Sequence, residues 1–380
     1  MSYIESLSTL VDHSIDKALE EQRIVGAVVM VAKDGQVLYR RASGKLDREG
    51  DTAMREDAIF RLSSVSKPMV TVAAMRLVER GVIHLGQPVT HWLKDFRPKL
   101  QNGTEPTITV HHLLAHVSGL SYGFFEPEGS AYHALQISDG LDQPGLSLNE
   151  NLRRLAKAPL AFEPGSSWRY SLATDVLGAV LEAATGHSLA QIIREEITRP
   201  LGLPDTGFNV TDRARLAVPY ANAEGAPVRM DGDVSLELWG GQVKFNPERI
   251  LHPESYASGG CGMAGTAQDV MQFLLKLQSG EQSLVKPETL SMMMKDHAGP
   301  QAQSLGPGWG FGYGWAVLDN PDAAATPQAK GTLQWGGVYG HSWFIDPVNN
   351  FTAVILTNTA FEGMSGQLVN DVRDAIYYAK

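Results

Sequence analysis

The sequence predicts an α+β protein, an antiparallel sheet flanked by helices with a mostly helical domain inserted into it. Three observations carry this reading. The chain opens with a helical pattern followed by strands, it closes with strands followed by a helical pattern, and the long middle is dominated by helix and turn signals. Residues 1–87 and 256–380 are expected to form the sheet domain, and residues 88–255 the insertion.

In chain order, Ile4, Leu7, Val11, Ile15 and Ala18 recur at three- and four-residue steps and predict an opening helix. Val25 to Ala32 and Gln36 to Arg40 are β-branched runs joined through Asp34-Gly35, a strong hairpin signal. Met69 to Arg80 carries an apolar stripe of Val70, Ala73, Ala74, Leu77 and Val78, stopped by Gly81. In the middle, Asp175 to Thr185 ends at Gly186, and Leu189 to Ile197 starts after Ser188 and stops before Pro200. Phe311 to Leu318, Thr332 to Trp335, Tyr339 to Asp346 and Phe351 to Thr357 read as strands, the last pair turned by Pro347 to Asn350. Ser365 to Tyr378, with Leu368, Val372 and Ile376 on one face, closes the chain as a helix.

Composition narrows the function classes. Of 380 residues 43% are hydrophobic and 19% charged, enough apolar material for a large core. Acidic residues outnumber basic ones 42 to 32, for a net charge of -10, which argues against nucleic acid as a partner. No apolar run reaches the ~18 residues of a membrane span. The first residues lack the basic and apolar regions of a secretory signal. The single Cys261 has no disulfide partner, and no Cys/His cluster has zinc spacing. These features predict a soluble, cytoplasmic protein without metal or cofactor, or a periplasmic one if the sequence is a processed form.

The sharpest motif is Ser63-Ser64-Val65-Ser66-Lys67-Pro68. Ser64 and Lys67, three apart at a helix start, share one face, and the serine sits in the field of free backbone N–H groups. A lysine one turn away can hold a neighbouring base in its charged form, or accept the hydroxyl proton itself. Alone, Ser-x-x-Lys also describes a capping serine and a solvated lysine. The apolar, small-residue surroundings argue for burial instead.

Other motifs follow in order. Tyr170-Ser171-Leu172 lies within Trp168 to Gly178, and Trp335-Gly336-Gly337 precedes Val338-Tyr339-Gly340-His341. With Leu113 to Leu120 and Ser258 to Ala267, they make the chain resemble the serine β-lactamase and penicillin-binding-protein superfamily from about residue 10 onward. Its nearest branch is the class C β-lactamase-like one that includes the family VIII carboxylesterases. The resemblance implies a β-lactamase/transpeptidase-like fold, with Ser64 as acylated nucleophile. It implies Tyr170 as general base beside the Lys67 ammonium, since an ordinary tyrosine near ~10 needs such a cation. Which of Lys67 and Tyr170 takes the serine proton is left open. Backbone N–H groups of Ser64 and Val338 are implied as the oxyanion hole.

Departures from the pattern direct the function. Leu172 stands where lactamases carry an asparagine, and Trp335-Gly336 where they carry Lys-Thr, so the anchor for a substrate carboxylate is gone. The resemblance therefore implies a serine esterase that hydrolyses short-chain carboxylic esters, with Trp335, Gly336, Gly337, Tyr122, Phe125 and His341 as substrate-binding candidates. A β-lactamase, D-amino-acid amidase, peptidase or acyltransferase of this fold is the rival reading. A lactamase would need a cation from Lys330, Arg229 or Lys244. A binding protein that has lost catalysis is the rival from another class, and the intact Ser64, Lys67 and Tyr170 oppose it.

Four features point elsewhere. Gly119-Leu120-Ser121-Tyr122-Gly123 fits a lipase pattern, but a helical segment precedes it where a strand is required. Trp239-Gly240-Gly241 reads as a loop without a following strand. His112 and His116 read as a structural pair, and Cys261 as part of a tight turn.

Overall fold

The computed structural model describes residues 2–280, 284–299 and 301–379. Helix α1 (Tyr3–Glu20) is followed by strands β1 (Gly26–Lys33), β2 (Gln36–Asp47) and β3 (Thr52–Ala53), then helix α2 (Ser66–Glu79). Helices α3 (Ala173–Thr185) and α4 (Ala267–Leu277) lead to strands β4 (Trp309–Phe311), β5 (Ala316–Leu318), β6 (Leu333–Gly337), β7 (His341–Asp346) and β8 (Phe351–Thr357), and helix α5 (Gln367–Tyr378) closes the chain. The eight strands form one sheet in the order β4-β5-β6-β7-β8-β1-β2-β3. Every adjacent pair is antiparallel.

The two ends of the chain meet at the centre of this sheet, where Ala27 to Lys33 of β1 pair with Thr357 to Phe351 of β8. Alternation along β1 explains its unbroken apolar run. Ala27, Val29 and Val31 face a layer built from Leu7, Val11 and Ile15 of α1 with Leu368, Val372 and Ile376 of α5. Val28, Met30 and Ala32 face the main core, which includes Val70 and Ala73 of α2 and Leu274 of α4.

Local chemistry sets most boundaries. Ser2 and Glu5 form a capping box at α1, Thr266 caps α4, and α3 ends at Gly186 in a left-handed conformation. Elsewhere the chain departs from expectation. Strand β2 runs on to Asp47 beyond the expected Arg40, because Ala42, Ser43 and Gly44 keep their pairing with β1 although the apolar pattern has ended. The single strand expected over Phe311 to Leu318 is split into β4 and β5, since Gly312-Tyr313-Gly314 turns the chain back and the Gly312 N–H bonds to the Trp315 carbonyl at 2.9 Å. The helix starting at Leu189 passes through a π-turn at Arg194–Thr198 and continues through Pro200, which occupies a first-turn position of Arg199–Leu201.

A further correction concerns Trp239-Gly240-Gly241. Val234–Leu238 and Gly241–Phe245 pair as a hairpin, and Trp239-Gly240 is its two-residue turn. Leu238, Val243 and Phe245 are buried while Glu237, Gln242 and Lys244 are exposed, so each arm shows alternation over too few residues to stand out.

Among the described residues no single helix is long and apolar enough to cross a membrane. The layer shared by α1 and α5 gives a test of the fold. Leu368→Ala, which opens a hole at a fully buried position, is expected to cost ~2–5 kcal/mol in urea denaturation, and Ile4→Ala on the exposed face less than ~0.5 kcal/mol.

Candidate active site

Helix α2 is buried through most of its length, and the turn Ser63–Val65 delivers Ser64 to its N-terminus. That turn is clamped from two sides. Ser66 Oγ donates to the Ser63 carbonyl at 2.6 Å and accepts the Met263 N–H at 3.1 Å. On the other side β6 ends against it: a Cβ at Gly337 would lie 2.6 Å from the Leu62 carbonyl oxygen and 3.4 Å from the Ser64 amide nitrogen. Only glycine permits that approach, and the next residues follow the same path, with the Tyr339 N–H 3.4 Å from Ser63 Oγ. Val338 is thereby held between two residues that touch the Ser63–Ser64 turn.

Lys67 is 0% exposed, and its Nζ donates to Ser64 Oγ at 3.2 Å, Tyr122 OH at 2.9 Å and the Gly260 carbonyl at 2.9 Å. Three acceptors match the donor count of an ammonium. The Gly260 N–H in turn donates to Asp175 at 2.7 Å, and Ser258 and Tyr256 hydroxyls donate to the same carboxylate at 2.8 and 3.0 Å. Burial pushes the Asp175 carboxyl up, while these donors and the nearby Lys67 charge pull it back.

Tyr170 completes the cluster. Its hydroxyl lies 2.7 Å from Ser64 Oγ and accepts the Trp335 Nε1–H at 3.2 Å, and Lys67 Nζ sits 4.4 Å from its ring centre. The ring is wedged between His116, Tyr122 and Trp335, at centroid distances of 5.0, 5.0 and 4.9 Å. His116 accepts the Ser171 N–H at Nδ1, 3.1 Å away, and is kept neutral by burial and by the Lys67 charge. The structure thus brings Ser64, Lys67, Tyr170 and Trp335 together, with Val338 beside them.

Several expectations need correcting. Tyr122 is buried and bonded to Lys67 rather than lining a pocket, and burial raises its phenol well above the usual range, so it stays a neutral acceptor. Gly336 points to the other face of β6, where a Cβ would lie 2.8 Å from Met364 Cγ. Phe125 packs on Phe124 and Trp239 rather than on the Tyr170 or Trp335 ring. His341 turns away from the cluster: its Nε2 lies 2.7 Å from the Arg61 carbonyl and its ring meets Phe60 edge-on. Ser121 is buried, its hydroxyl donating to the Tyr122 carbonyl at 3.2 Å. Lys330 is paired with Asp319 and Arg229 with Asp231 and Asp47, while Lys244 is exposed on the hairpin.

Asp175, Gly260 and Cys261 were missed as site residues. Cys261 Sγ lies 3.8 Å from Ser64 Oγ and 3.9 Å from Tyr122 OH, and burial pushes its thiol up. The glycine-rich segment Ser258 to Ala267 and the Asp175 that begins the helix after Tyr170 carried the signal, but neither residue type announces a contact with a serine. Among the described residues no His/Cys/Asp/Glu group is placed to hold a metal ion.

His341 yields a pH prediction. Burial lowers its pKa from 6.5 to about 4, so the unfolded chain takes up this proton first as pH falls. Stability from this group is therefore present above 6.5 and is lost as pH falls towards 4. Melting temperatures measured across this window should fall less steeply for His341→Gln, which keeps a donor for the Arg61 carbonyl, than for the wild type. An equal slope would mean that His341 already titrates normally in the folded protein.

The chain is 52% identical over 376 residues to esterase EstB from Burkholderia gladioli, covering 98% of this chain and 95% of that one. It is 27% identical to lovastatin esterase from Penicillium rubens, covering 90% and 91%. The solved structure of EstCE1, described as a hydrolase with promiscuous acyltransferase activity, superposes with a TM-score of 0.96 at 47% identity, covering 98% of this chain and 99% of that one. Residues 11–377 match the family described as Beta-lactamase, and the chain belongs to that family.

Proposed function

We propose that this protein is a serine esterase that hydrolyses short-chain esters of small molecules through an acyl-enzyme on Ser64. The observation that carries the reading is the position of Ser64 Oγ between Lys67 Nζ and Tyr170 OH, with a neutral indole N–H on the tyrosine. The 52% identity to an esterase supports the same reaction class.

In this reading Ser64 Oγ attacks the ester carbonyl and its proton passes to the Tyr170 oxygen 2.7 Å away. Tyr170 is the better acceptor because the donor positions of Lys67 are already engaged. Lys67 Nζ holds Ser64 Oγ from the other side at 3.2 Å, and the Trp335 N–H steadies the Tyr170 oxygen, which serves as the base in its phenolate form. Amide N–H groups of Ser64 and Val338 hold the oxyanion as it forms. Collapse breaks the bond to the alcohol, which leaves with the proton from Tyr170. Water then attacks the acyl group, Tyr170 takes its proton and returns it to Ser64, and the carboxylic acid departs.

Substrate charge follows from Trp335. A carboxylate bound beside it would meet an indole and no cation, so neutral esters are favoured over β-lactams. Turnover on p-nitrophenyl butyrate should far exceed that on a chromogenic cephalosporin, and Tyr170→Phe should lose at least ~10²-fold on the ester. Dominant lactam cleavage would overturn the role given to Trp335. Labelling by a fluorophosphonate should vanish in Ser64→Ala and persist in Ser121→Ala; the reverse pattern would move the nucleophile.

A further inference from the structure

His116 takes no part in the proton transfers above, yet its contacts converge on Tyr170. Its imidazole is 1% exposed and lies 5.0 Å from the tyrosine ring at an angle of 42°. Nδ1 accepts the Ser171 N–H at 3.1 Å, and the His116 carbonyl accepts the Arg169 N–H at 3.0 Å. One residue thus holds the backbone on both sides of Tyr170 and supports its ring as well. A histidine present only to fill space would need the ring contact alone.

The backbone is bent to make this grip. His116 has a φ of 55°, in the left-handed region where few residues other than glycine settle. Such a conformation persists where its surroundings over-determine it, and it clusters at functional sites. Here the surroundings are further bonds between the same two segments. The Gly165 N–H donates to the Val117 carbonyl at 2.7 Å, and the Leu172 N–H to the Ser121 carbonyl at 3.2 Å.

The place of the ring proton follows from these bonds. With Nδ1 an acceptor, the single proton of the neutral ring sits on Nε2, 3.5 Å from Thr174 Oγ1. Burial, and then the Lys67 charge, oppose a second proton, which would displace the Ser171 N–H. Ser171 is 0% exposed, so its N–H would lose this partner with no solvent to replace it.

We propose that His116 is a positioning residue for Tyr170, holding the two flanking peptides so that the phenol oxygen stays 2.7 Å from Ser64 Oγ. This rests on Tyr170 as the group that takes the serine proton and returns it. About 1 Å of misplacement at such a group can cost ~10²-fold. Handing the proton on is most demanding for an alkyl ester. There the C–O bond breaks, its electron pair goes to the alcohol oxygen, and the proton on Tyr170 moves to that oxygen. A p-nitrophenolate leaves without it.

The test compares kcat/KM on ethyl butyrate and p-nitrophenyl butyrate, which give the same acyl-enzyme, for wild type, His116→Gly and His116→Asn. Both substitutions tolerate the left-handed backbone, and only Asn retains an acceptor near the position of Nδ1. In His116→Gly the ratio of ethyl to p-nitrophenyl ester should fall about tenfold, part of the ~10²–10⁴ that general acid–base catalysis supplies, and His116→Asn should restore most of it. Loss of folded protein lowers both rates equally and leaves the ratio alone. A constant ratio would overturn the proposal. So would an equal fall in His116→Asn, which would leave ring packing as the whole effect. If His116→Gly does not fold, His116→Gln, which moves the acceptor one bond outward, should show the same fall, and a wild-type ratio there overturns the proposal. Tyr170→Phe run in parallel separates the two readings. Near-normal turnover there removes Tyr170 as the base, whereas an impaired Tyr170→Phe with a constant His116→Gly ratio removes only the positioning role.

Discussion

One buried positive charge organises the centre of this protein. Lys67 is fully enclosed, and an unpaired ammonium in such a place would cost several kcal/mol. Its acceptors come from separate stretches of the chain: Ser64 one turn before it, Tyr122 from the segment between α2 and α3, and Gly260 from the segment leading into α4. Asp175, at the start of α3, answers the charge through Gly260, whose N–H it accepts while Lys67 holds the carbonyl of the same residue. The loops around Ser64 are thus tied together by the need to satisfy one side chain.

That arrangement also sets the electrical character of the site. Lys67 and the Asp175 carboxyl group meet through Gly260, and the third motif adds an indole instead of a second cation. Trp335 keeps a donor on Tyr170 OH while bringing no net charge. A neutral substrate would enter such a site without leaving a charge unpaired.

Much of this was legible in the sequence because its signals are local. The helix-strand-strand opening, the strands before α5 and the spacing of Ser64 and Lys67 depend on neighbours in the chain, and they emerged with small errors at their ends. The motif containing Tyr170 and the Trp335 strand also marked positions that the fold brings to Ser64. What escaped depends on long-range contact. Tyr122 read as an aromatic pocket residue, since nothing nearby in sequence reveals that Lys67 lies against its hydroxyl. His341 follows the third motif closely, but strand alternation and the Arg61 carbonyl decide where its ring goes. The hairpin around Trp239 was hidden for a different reason: tryptophan is a rare choice for a turn with positive φ, where Asn, Asp or Gly would have flagged it.

The pairing of β1 with β8 has a consequence for biosynthesis. Strand β1 leaves the ribosome long before its central-sheet partner β8. At about 5–20 residues per second, roughly tens of seconds pass before Phe351 to Thr357 exist. Throughout that interval Val28 to Val31 present an apolar edge with only the β2 side paired. Until β8 arrives that side of β1 stays unpaired, so the centre of the sheet can close only after Phe351 to Thr357 have been made.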